Sequence, residues 1–535
     1  MSVSRGRIIR IVFLLLCSGV LLLCSAVILN QKEALYLDEY ASYGCANSDH
    51  GKLMYFQNGV TYSPEAFRQN VLSTYAATEE KRFRFDLVWS NLNENVHPPV
   101  FYAALHIACS LTPGIFSKWQ AGIVNILFGL IGLVFFQKFA RALIRSEWMA
   151  GIVCLSWVCT LGLYANVVFL RDYAAAACGV LAASWECFRF FRGHRGVRDL
   201  VKTGLASAFA VLCHYYCIIF LFFLCAVFCV MLLIRKEWKD VLKIVAAEAG
   251  AAVAAVAVFP GMVSVILKSG RGVEAAENLA ETDGTRLSSQ ATEFYRDVNN
   301  SFFGGLLPYA AALILLLAVL WLILRKRGAC PAETAPWVNI RREEIVFLML
   351  PCLLYYVLIC KIAPISSYRY LFPATAVFYL SVAALLAFLG QHCLKKRALA
   401  LALAASLLAM CCLSWPAGSI QYLFRGTNRK IRNKLEPYGH PDAVIVRTAA
   451  SNLSALIPQM DYYGSFTFYS LNTEGRSEIQ ALEDGKDVVL LISRSYREEQ
   501  YQDKLAGDYP GYSVTELGNL DGRRKFDNYY LHREE

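Results

Sequence analysis

Two adjacent carboxylates, Asp38 and Glu39, follow the first long apolar run of the chain within a few residues. Their immediate neighbours are apolar and aromatic, in the order Tyr36-Leu37-Asp38-Glu39-Tyr40. A carboxylate in such a place can remove a proton from an acceptor hydroxyl during group transfer, which is general-base catalysis, or can orient the acceptor. Position alone leaves open the alternative that both are ordinary solvated charges.

Two histidines lie where imidazole chemistry is plausible. His97 follows Asn95 and precedes two prolines, and proline at the first position of a helix would hold His97 at the helix N-terminus. His214 opens the sequence His-Tyr-Tyr at the tip between two short apolar runs. Either ring could bind a divalent metal or orient a carboxylate, and Asn95 is a candidate for the same substrate or metal site. An incidental histidine in a turn and a hydrogen-bonded packing residue remain the alternatives.

Basic residues at the ends of apolar runs form a third group. Arg171 lies in Phe-Leu-Arg-Asp-Tyr, and Arg369 and Tyr370 lie in Arg-Tyr-Leu-Phe-Pro, with Lys361 shortly before them. The guanidinium fork matches phosphate oxygens, and a cation here would stabilise charge on a departing phosphate. A simple pair of Arg171 with Asp172, and an Arg369 side chain that snorkels to the interface, stay open.

The composition places these residues in a membrane protein. Of 535 residues, 56% are hydrophobic and 18% are charged, whereas a soluble domain carries about 25% charge. The apolar residues form blocks of roughly 20, the length that crosses about 30 Å of hydrocarbon. The net charge of +10 comes from clusters between the blocks, which indicates topology and no nucleic-acid partner. The 18 Cys lie almost entirely within apolar blocks and show neither zinc spacing nor a disulfide framework.

The basic clusters alternate with the apolar blocks, so that the clusters fall on the side of the N-terminus. The first run is too long for a usual signal peptide and no cleavage site follows it, so we interpret it as an uncleaved span. We therefore predict a polytopic α-helical membrane protein whose N-terminus is inside and whose C-terminus is outside. The predicted spans are 8–30, 119–143, 148–169, 172–190, 199–214, 215–234, 241–264, 302–324, 344–361, 369–391 and 398–418.

Segments between and after the spans complete the prediction. Residues 31–118 form a first outer loop, with an amphipathic helix at 64–75 and an interfacial helix at 100–111. Residues 265–301 are polar and lack strong periodicity, so we predict a mobile loop there. Residues 421–535 predict a small extracytoplasmic α/β domain after the transmembrane domain of residues 1–420. The elements predicted in that small domain are strands at 443–447 and 487–492 and helices at 451–463 and 497–508.

Taken in order, the motifs resemble those of the glycosyltransferase-C superfamily, in particular the bacterial branch of protein O-mannosyltransferases and the lipid A aminoarabinose transferase. That family has an Asp-Glu pair after the first span, an H-P-P-L-Y-Y-like helix, an outer Arg, a T-H-Y-like hairpin and a late R-Y-L-x-P. The matching residues here begin at Asp38, His97, Arg171, His214 and Arg369. The resemblance covers roughly residues 1–420.

The resemblance implies a role for each residue. Asp38 would be the catalytic base with Glu39 in support, while Arg369 and Arg171 would hold the donor phosphate. His97 and His214 match positions near which some relatives hold a divalent cation, so such a metal is a candidate cofactor. The reaction would move a sugar from a polyprenyl phosphate by single displacement, with inversion, to an envelope glycan, a lipid or a protein at the outer face of the bacterial cytoplasmic membrane.

Two other functions are compatible with the sequence. A transporter or flippase of lipid-linked glycans would place ionisable residues at mid-membrane depth and contain paired broken spans. The notable charges here gather at one surface, which favours an enzyme. A family member that serves only as a scaffold is the third alternative, and the intact Asp38 and Arg369 disfavour it.

Overall fold

Long apolar segments form helices in a membrane because only a helix or a closed barrel satisfies every backbone polar group there. The computed structural model describes residues 3–93, 95, 97–281, 284–327, 338–393, 396–447, 450–470, 486–494, 511–520 and 525–534. Its helices are α1 (Val3–Asn30), α2 (Leu37–Asn47), α3 (Pro64–Tyr75), α4 (Phe85–Asn93), α5 (Val100–Ser110), α6 (Lys118–Leu143), α7 (Glu147–Val158), α8 (Leu161–Val167), α9 (Tyr173–Phe191), α10 (Val197–Cys213), α11 (Tyr216–Ile234), α12 (Trp238–Val258), α13 (Gly261–Lys268), α14 (Gly270–Ala280), α15 (Gly284–Phe303), α16 (Leu307–Lys326), α17 (Arg342–Ile362), α18 (Phe372–Cys393), α19 (Lys396–Ala417) and α20 (Thr427–Leu435).

Eight of the described helices are long and apolar enough to cross a membrane, and the bent pair α7–α8 would make nine. The axes of α7 and α8 differ by 58° at their break. The chain is therefore a multi-span helical membrane protein, as predicted. The eleven predicted spans stay a prediction, because α10 and the apolar part of α19 (Ala405–Ala417) are shorter than 18 residues.

The prediction of a mobile loop at 265–301 is wrong. The segment folds into the end of α13, the whole of α14 and most of α15. In α15, Gln290, Phe294, Val298 and Phe302 are buried and recur every fourth residue, so they form one apolar face of the helix. The side chain of Gln290 donates to the carbonyl of Ala363 at 3.1 Å, beyond the end of α17. The polar composition thus reflects the exposed face of a packed helix.

The chain divides into two compact units. The first comprises residues 1–28, 92–104 and 121–420, and the second comprises residues 29–91, 105–120 and 421–535. In the first unit α18 is the most deeply buried of the candidate spans, since 89% of its most apolar 18 residues are buried. Helices α9, α16 and α17 of the same unit pack against α18. The turns that enter α9, α11 and α18 carry Arg171, His214 and Arg369, respectively.

A six-stranded sheet forms the core of the second unit. Its strands are β1 (Thr61–Tyr62), β2 (Asp442–Arg447), β3 (Phe466–Ser470), β4 (Val488–Ser493), β5 (Tyr512–Glu516) and β6 (Phe526–Arg533). They lie in the order β1-β3-β2-β4-β6-β5, where β3, β2 and β4 are mutually parallel and the outer pairings are antiparallel. Both predicted strands are therefore present, within one residue at their ends.

Two helices were predicted near these strands, and their outcomes differ. The helix predicted at 451–463 is present as a 3-10 helix over Ala450–Tyr462, with Pro458 inside it. Proline lacks the backbone N–H that a continuous α-helix needs in its interior. The helix predicted at 497–508 lies outside the described residues. The amphipathic helix predicted at 64–75 is present as α3, with Ser63 accepting a hydrogen bond from Ala66 N at 3.2 Å as its N-cap.

Candidate functional site

Four turns of the first unit hold the polar residues that the sequence singled out there. His97 precedes α5, Arg171 and Asp172 precede α9, His214 lies between α10 and α11, and Arg369 lies in the 3-10 turn that leads into α18. Ligand atoms of His97, Asp172 and His214 all lie within 4.8 Å of one another. Residues up to 117 positions apart in the sequence therefore form one cluster, which we call the His-Asp-His cluster.

The ring of His97 lies between a cation and an anion. Arg171 Nη2 donates to His97 Nε2 at 2.7 Å, and His97 Nδ1 lies 3.3 Å from Asp172 Oδ2. Since Nε2 accepts, the proton of the neutral ring belongs on Nδ1, which faces the carboxylate. The Arg171 guanidinium thus donates to one edge of the His97 ring, while the other edge faces the Asp172 carboxylate without a hydrogen bond of good geometry.

His214 is held by its own helix. The backbone N–H of Tyr216, at the start of α11, donates to His214 Nδ1 at 3.0 Å, so the neutral ring carries its proton on Nε2. Burial lowers the pKa of His214 to about 4, although the Asp172 carboxylate acts in the opposite direction, and nearby His97, Arg171 and Arg369 lower it further. The ring is therefore neutral at pH 7.

Asp172 is fully buried, yet neither of its oxygens accepts a hydrogen bond of good geometry from the described residues. Burial acts to raise its pKa, but His214, His97 and Arg171 outweigh this and hold the pKa below its usual range. The side chain is therefore an anion, and the Arg171 guanidinium is the permanent cation beside the cluster. A buried carboxylate with open acceptor capacity is a site prepared for a donor group of a ligand.

Arg369 is buried against aromatic rings. Its guanidinium carbon lies 5.5 Å from the ring centre of Phe169 and 5.3 Å from that of Tyr370, both cation–π distances. Tyr370 is fixed by its backbone, since Tyr355 OH donates to the Tyr370 carbonyl at 2.7 Å. The Tyr173 ring lies 4.9 Å from the His214 ring and 6.4 Å from the Tyr370 ring, so it connects Arg369 with the His-Asp-His cluster.

Asn125 supports the turn that carries Arg171 and was not foreseen from the sequence. Its side-chain amide, buried on α6, donates to the carbonyls of Val167 at 3.0 Å and Phe169 at 2.8 Å. These bonds hold the turn in the place where Arg171 reaches His97. The sequence signal for Asn125 was a lone amide in an apolar run, which has no specificity by itself.

The other predicted residues of the first unit lie in different surroundings. Lys361, near the end of α17, is partly exposed and donates to the backbone carbonyl of Glu281. Asn95 is buried, and its backbone N–H donates to the carbonyl of Leu92 at 3.0 Å, which closes the turn after α4. Tyr370 and Phe169 form the aromatic wall against which Arg369 packs. The Lys361 contact belongs to the packing of α14 against α17.

A divalent cation needs ligand lone pairs, which tests whether the His-Asp-His cluster is a metal site. A neutral imidazole has one lone pair, and here the pair of His97 accepts from Arg171 and that of His214 accepts from Tyr216 N–H. Of the three residues, only Asp172 retains open acceptor capacity. A metal ion at this cluster would therefore have to displace the Arg171 guanidinium and the Tyr216 N–H from the two rings.

The predicted carboxylates belong to the second unit and differ from each other. Asp38, in the first turn of α2, is partly exposed, whereas Glu39 is fully buried. Glu39 Oε1 pairs with Lys32 Nζ at 2.9 Å, and its Oε2 accepts from Tyr36 N at 2.6 Å, which closes the start of α2. Lys32 is also fully buried and donates to the Tyr422 carbonyl at 2.6 Å. Glu39 thus fixes the helix turn from which Asp38 projects.

The segment before Asp38 is held by residues close to the other end of the chain. Glu33 accepts from the backbone N–H groups of Gly426 at 3.0 Å and Asn428 at 2.8 Å. Its own N–H donates to the Leu423 carbonyl at 3.1 Å, and the rings of Tyr36 and Tyr422 stack with centres 4.1 Å apart. The position of Asp38 within the second unit therefore depends on contacts between residues about 390 positions apart.

No family model and no curated protein matches the chain. Among solved structures, the chain is similar to ArnT from Cupriavidus metallidurans in the apo state, at 13% identity and a TM-score of 0.47 over 96% of both chains. It is similar to ArnT bound to undecaprenyl phosphate at 12% identity and a TM-score of 0.46, over 96% of this chain and 97% of that one.

A second solved protein is the archaeal oligosaccharyltransferase AglB from Archaeoglobus fulgidus, in complex with an inhibitory peptide and a dolichol-phosphate. The similarity has 12% identity and a TM-score of 0.40, over 93% of this chain and 69% of that one. At these identities and TM-scores, the likeness does not extend to an assignment of activity.

Proposed function

We propose that the protein is a membrane glycosyltransferase that takes a sugar from a polyprenyl phosphate and transfers it to an acceptor at the outer face of the membrane. The observation that carries the proposal is the burial of two guanidinium groups, Arg171 and Arg369, at the turns that enter α9 and α18. Arg171 contacts His97, whose ring centre lies 6.2 Å from that of His214. Arg369 packs on Tyr370, and the Tyr173 ring lies 6.4 Å from the Tyr370 ring and 4.9 Å from the His214 ring.

Buried arginines at the ends of apolar helices suit a lipid phosphate. The planar fork of a guanidinium binds two phosphate oxygens at once, and the aromatic wall around Arg369 excludes water, so each contact is stronger than at a solvated surface. In this scheme Arg369, with Tyr370 beside it, binds the phosphate that links sugar and prenyl chain. Arg171 and the His-Asp-His cluster then orient the donor through the open oxygens of Asp172.

Asp38 supplies the base in the proposed reaction. The acceptor hydroxyl gives its proton to the Asp38 carboxylate while its oxygen attacks the anomeric carbon of the sugar. The bond between that carbon and the phosphate oxygen breaks, and the polyprenyl phosphate leaves with the electron pair. Attack opposite to the leaving group inverts the anomeric centre. The cations at the phosphate stabilise the negative charge that grows there.

The proposed setting follows the charge pattern of the chain. The N-terminal cations Arg5, Arg7 and Arg10 favour a cytoplasmic N-terminus, which places Asp38, beyond α1, at the opposite face. The enzyme would act in the cytoplasmic membrane of a bacterium, with a polyprenyl-linked sugar as donor. An envelope glycan, a lipid or a protein would be the acceptor.

The direct test is transfer of radiolabelled sugar from a panel of polyprenyl-phosphate sugars to envelope acceptors by the full chain in nanodiscs. Asp38→Asn and Arg369→Gln should each lose at least 100-fold in rate, in line with the 10²–10⁴-fold that a general base contributes. Lys243→Gln is the control, because Lys243 is an exposed cation of the first unit that pairs with Asp240 at 2.8 Å and belongs to none of the proposed sites. Equal rates for all four proteins would contradict the proposal.

A transporter or flippase of lipid-linked glycans is the second candidate, and two observations favour it. The pair α7–α8 is a broken helix of the kind that transporters use, and Glu248 lies halfway along the apolar helix α12, where it accepts from Ser207 at 2.9 Å. Movement of a labelled lipid across a bilayer by the reconstituted chain, without consumption of donor, would establish this function in place of the transferase.

A further inference from the structure

Helix α20 carries an unusual concentration of positive charge in the second unit. Five cations lie in or just before it over ten residues, and all are exposed. None of the five forms an ion pair or a side-chain hydrogen bond with any residue that the structure describes. They are Arg425, Arg429, Lys430, Arg432 and Lys434.

One face of α20 packs against the second unit, and the opposite face is exposed. Thr427, Ile431 and Leu435 are buried and recur every fourth residue, so they anchor α20 to its unit. Arg429 and Asn433 point away from that anchor, and the other cations of the helix flank them. Because the anchoring is apolar, stability of the fold requires no charge on the opposite face.

The helix dipole does not explain the cations either. Cations are favourable at the C-terminal end of a helix, which accounts for Arg432 and Lys434 in the last turn. Arg425, Arg429 and Lys430 lie before or within the first turns, next to the positive end of the dipole, where a cation is unfavourable. The first turn contains no acidic residue. The Glu33 carboxylate, which accepts from Gly426 N and Asn428 N, offsets part of this cost, and a further anionic partner would offset the charge of the remaining cations.

Contacts within the second unit fix where α20 lies. Its first turn is tied to Glu33, which accepts from Gly426 N and Asn428 N and follows the last residue of α1, Asn30, by three positions. The α1 run of apolar residues, 11–29, is about 28 Å long at 1.5 Å per residue, which matches the hydrocarbon thickness. Glu33 is therefore at the level where lipid head groups begin, and α20 starts there too.

Aromatic residues around this point agree with an interfacial depth. Tyr36, Tyr422 and Phe424 are partly exposed and lie on either side of the Glu33 contact. Tyrosine is enriched at the level of the head groups because its ring is apolar and its hydroxyl is polar.

We propose that α20 is a docking surface for anionic phospholipid head groups of the leaflet at which α1 ends. The phosphate groups of such lipids complement five exposed cations that form no ion pair with the described residues. Arg429 and Lys430 are adjacent exposed cations in the first turns of α20, next to the start of the helix that is tied to Glu33, so they lie nearest to the head groups. The contact would hold the second unit against the membrane surface in membranes rich in anionic lipid. This proposal does not depend on the transferase activity.

Hydrogen exchange of the full chain in nanodiscs tests the proposal. Nanodiscs of phosphatidylcholine alone are compared with nanodiscs in which a third of the lipid is phosphatidylglycerol, and exchange is followed by mass spectrometry for peptides over residues 421–435. Exchange should be slower in the anionic nanodiscs by about fivefold or more, the factor that one cation near an anionic surface contributes. Equal exchange in both lipids would overturn the proposal.

Two double variants test whether the slower exchange depends on the cations of α20 or on positive charge anywhere in the second unit. Arg429→Gln with Lys430→Gln should remove most of the slowing in anionic nanodiscs, while the melting temperature in phosphatidylcholine stays unchanged because both side chains are exposed. Lys486→Gln with Arg533→Gln is the matched control, since it removes the same charge from exposed positions of the sheet unit. The lipid proposal is wrong if both double variants lose the slowing alike. It is also wrong if the soluble polyanion dextran sulfate slows exchange over residues 421–435 and the anionic nanodiscs do not.

Discussion

Arg171 and Asp172, neighbours in the sequence, hold opposite edges of one imidazole ring. Arg171 Nη2 lies 2.7 Å from His97 Nε2, and Asp172 Oδ2 lies 3.3 Å from His97 Nδ1. One turn before α9 therefore fixes both the orientation and the tautomer of a histidine that belongs to the start of α5. The Asn125 amide in turn holds that turn, so the arrangement is rigid before any ligand arrives.

Replacement of His97 should mainly weaken donor binding. His97→Ala removes the acceptor that orients the Arg171 guanidinium, so that a bound phosphate must order this side chain itself. We expect the KM for the polyprenyl-phosphate sugar to rise about tenfold, the equivalent of one net hydrogen bond to a charged group, with a smaller change in kcat. His50→Ala, at an exposed position of the second unit, is the control. A fall in kcat at constant KM would instead assign His97 to the chemical step.

Chelation of divalent metal should leave the activity unchanged. Both histidine lone pairs of the His-Asp-His cluster accept hydrogen bonds from within the protein, so a cation would have to displace Arg171 and the Tyr216 amide. Transfer activity after dialysis against EDTA should match that of the untreated enzyme, and metal analysis should find less than one equivalent bound. Loss of activity with recovery on addition of one metal would show that the cluster rearranges to bind it.

Acid should destabilise the first unit through His214. Its pKa is lowered to about 4 by burial, whereas an unfolded histidine titrates near 6.5, so the unfolded chain binds more protons between these values. Stability is thus complete above about pH 6.5 and falls as pH drops toward 4, by up to about 1.4 kcal/mol per pH unit. Depressed titration of Asp172 adds a further loss at lower pH.

The variant His214→Asn isolates this effect. Its side-chain oxygen can still accept from Tyr216 N–H but does not titrate. The melting temperature of the variant in nanodiscs should vary less between pH 7 and pH 4.5 than that of the wild type. Parallel curves for the two proteins would assign the acid sensitivity to other groups.

Neutralising Asp38 should mainly reduce the transfer activity, whereas neutralising Glu39 should mainly reduce the stability of the protein. Asp38→Asn should abolish transfer with little effect on stability, because the side chain is partly exposed. Glu39→Gln leaves Lys32 as a buried cation that has lost its charge partner, which costs about 3–5 kcal/mol of stability. The double variant Lys32→Met with Glu39→Gln should recover part of that loss. Thermal unfolding together with transfer rates distinguishes the two residues, and equal stability of both single variants would contradict the assignment.

The sequence predicted the class and many elements of this protein because apolar length and alternation are local signals. The long spans, α3, and the strands β2 and β4 all carry such signals and are present. The packed helices at 265–301 were missed, although the four-residue spacing of Phe294, Val298 and Phe302 contained the information. Their overall polarity hid this single apolar face.

The site was predictable as a set of residues but not as an arrangement. His97, Arg171 and His214 were named from motif order, yet only the fold shows that Asp172 is the anion among them. Glu39 was predicted to act beside Asp38, and its partner Lys32 could not be foreseen, because nothing in the sequence indicates that a lysine next to a span is buried. Strand β1 has two residues, which is too short for any periodic signal.

The bonds of Glu33 and Lys32 to the segment 422–428 have a consequence for how the protein is made. The turn that carries Asp38 leaves the ribosome early, but the residues that hold it are synthesised about 390 positions later. At about 5–20 residues per second, this turn waits roughly 20–80 s for its partners. Until then the Lys32 and Glu33 side chains lack their backbone partners, and the start of α2 is not held in place. A chain that stops before residue 422 could insert its spans but not complete this turn, so the proposed catalytic carboxylate takes its final position only when synthesis is nearly finished.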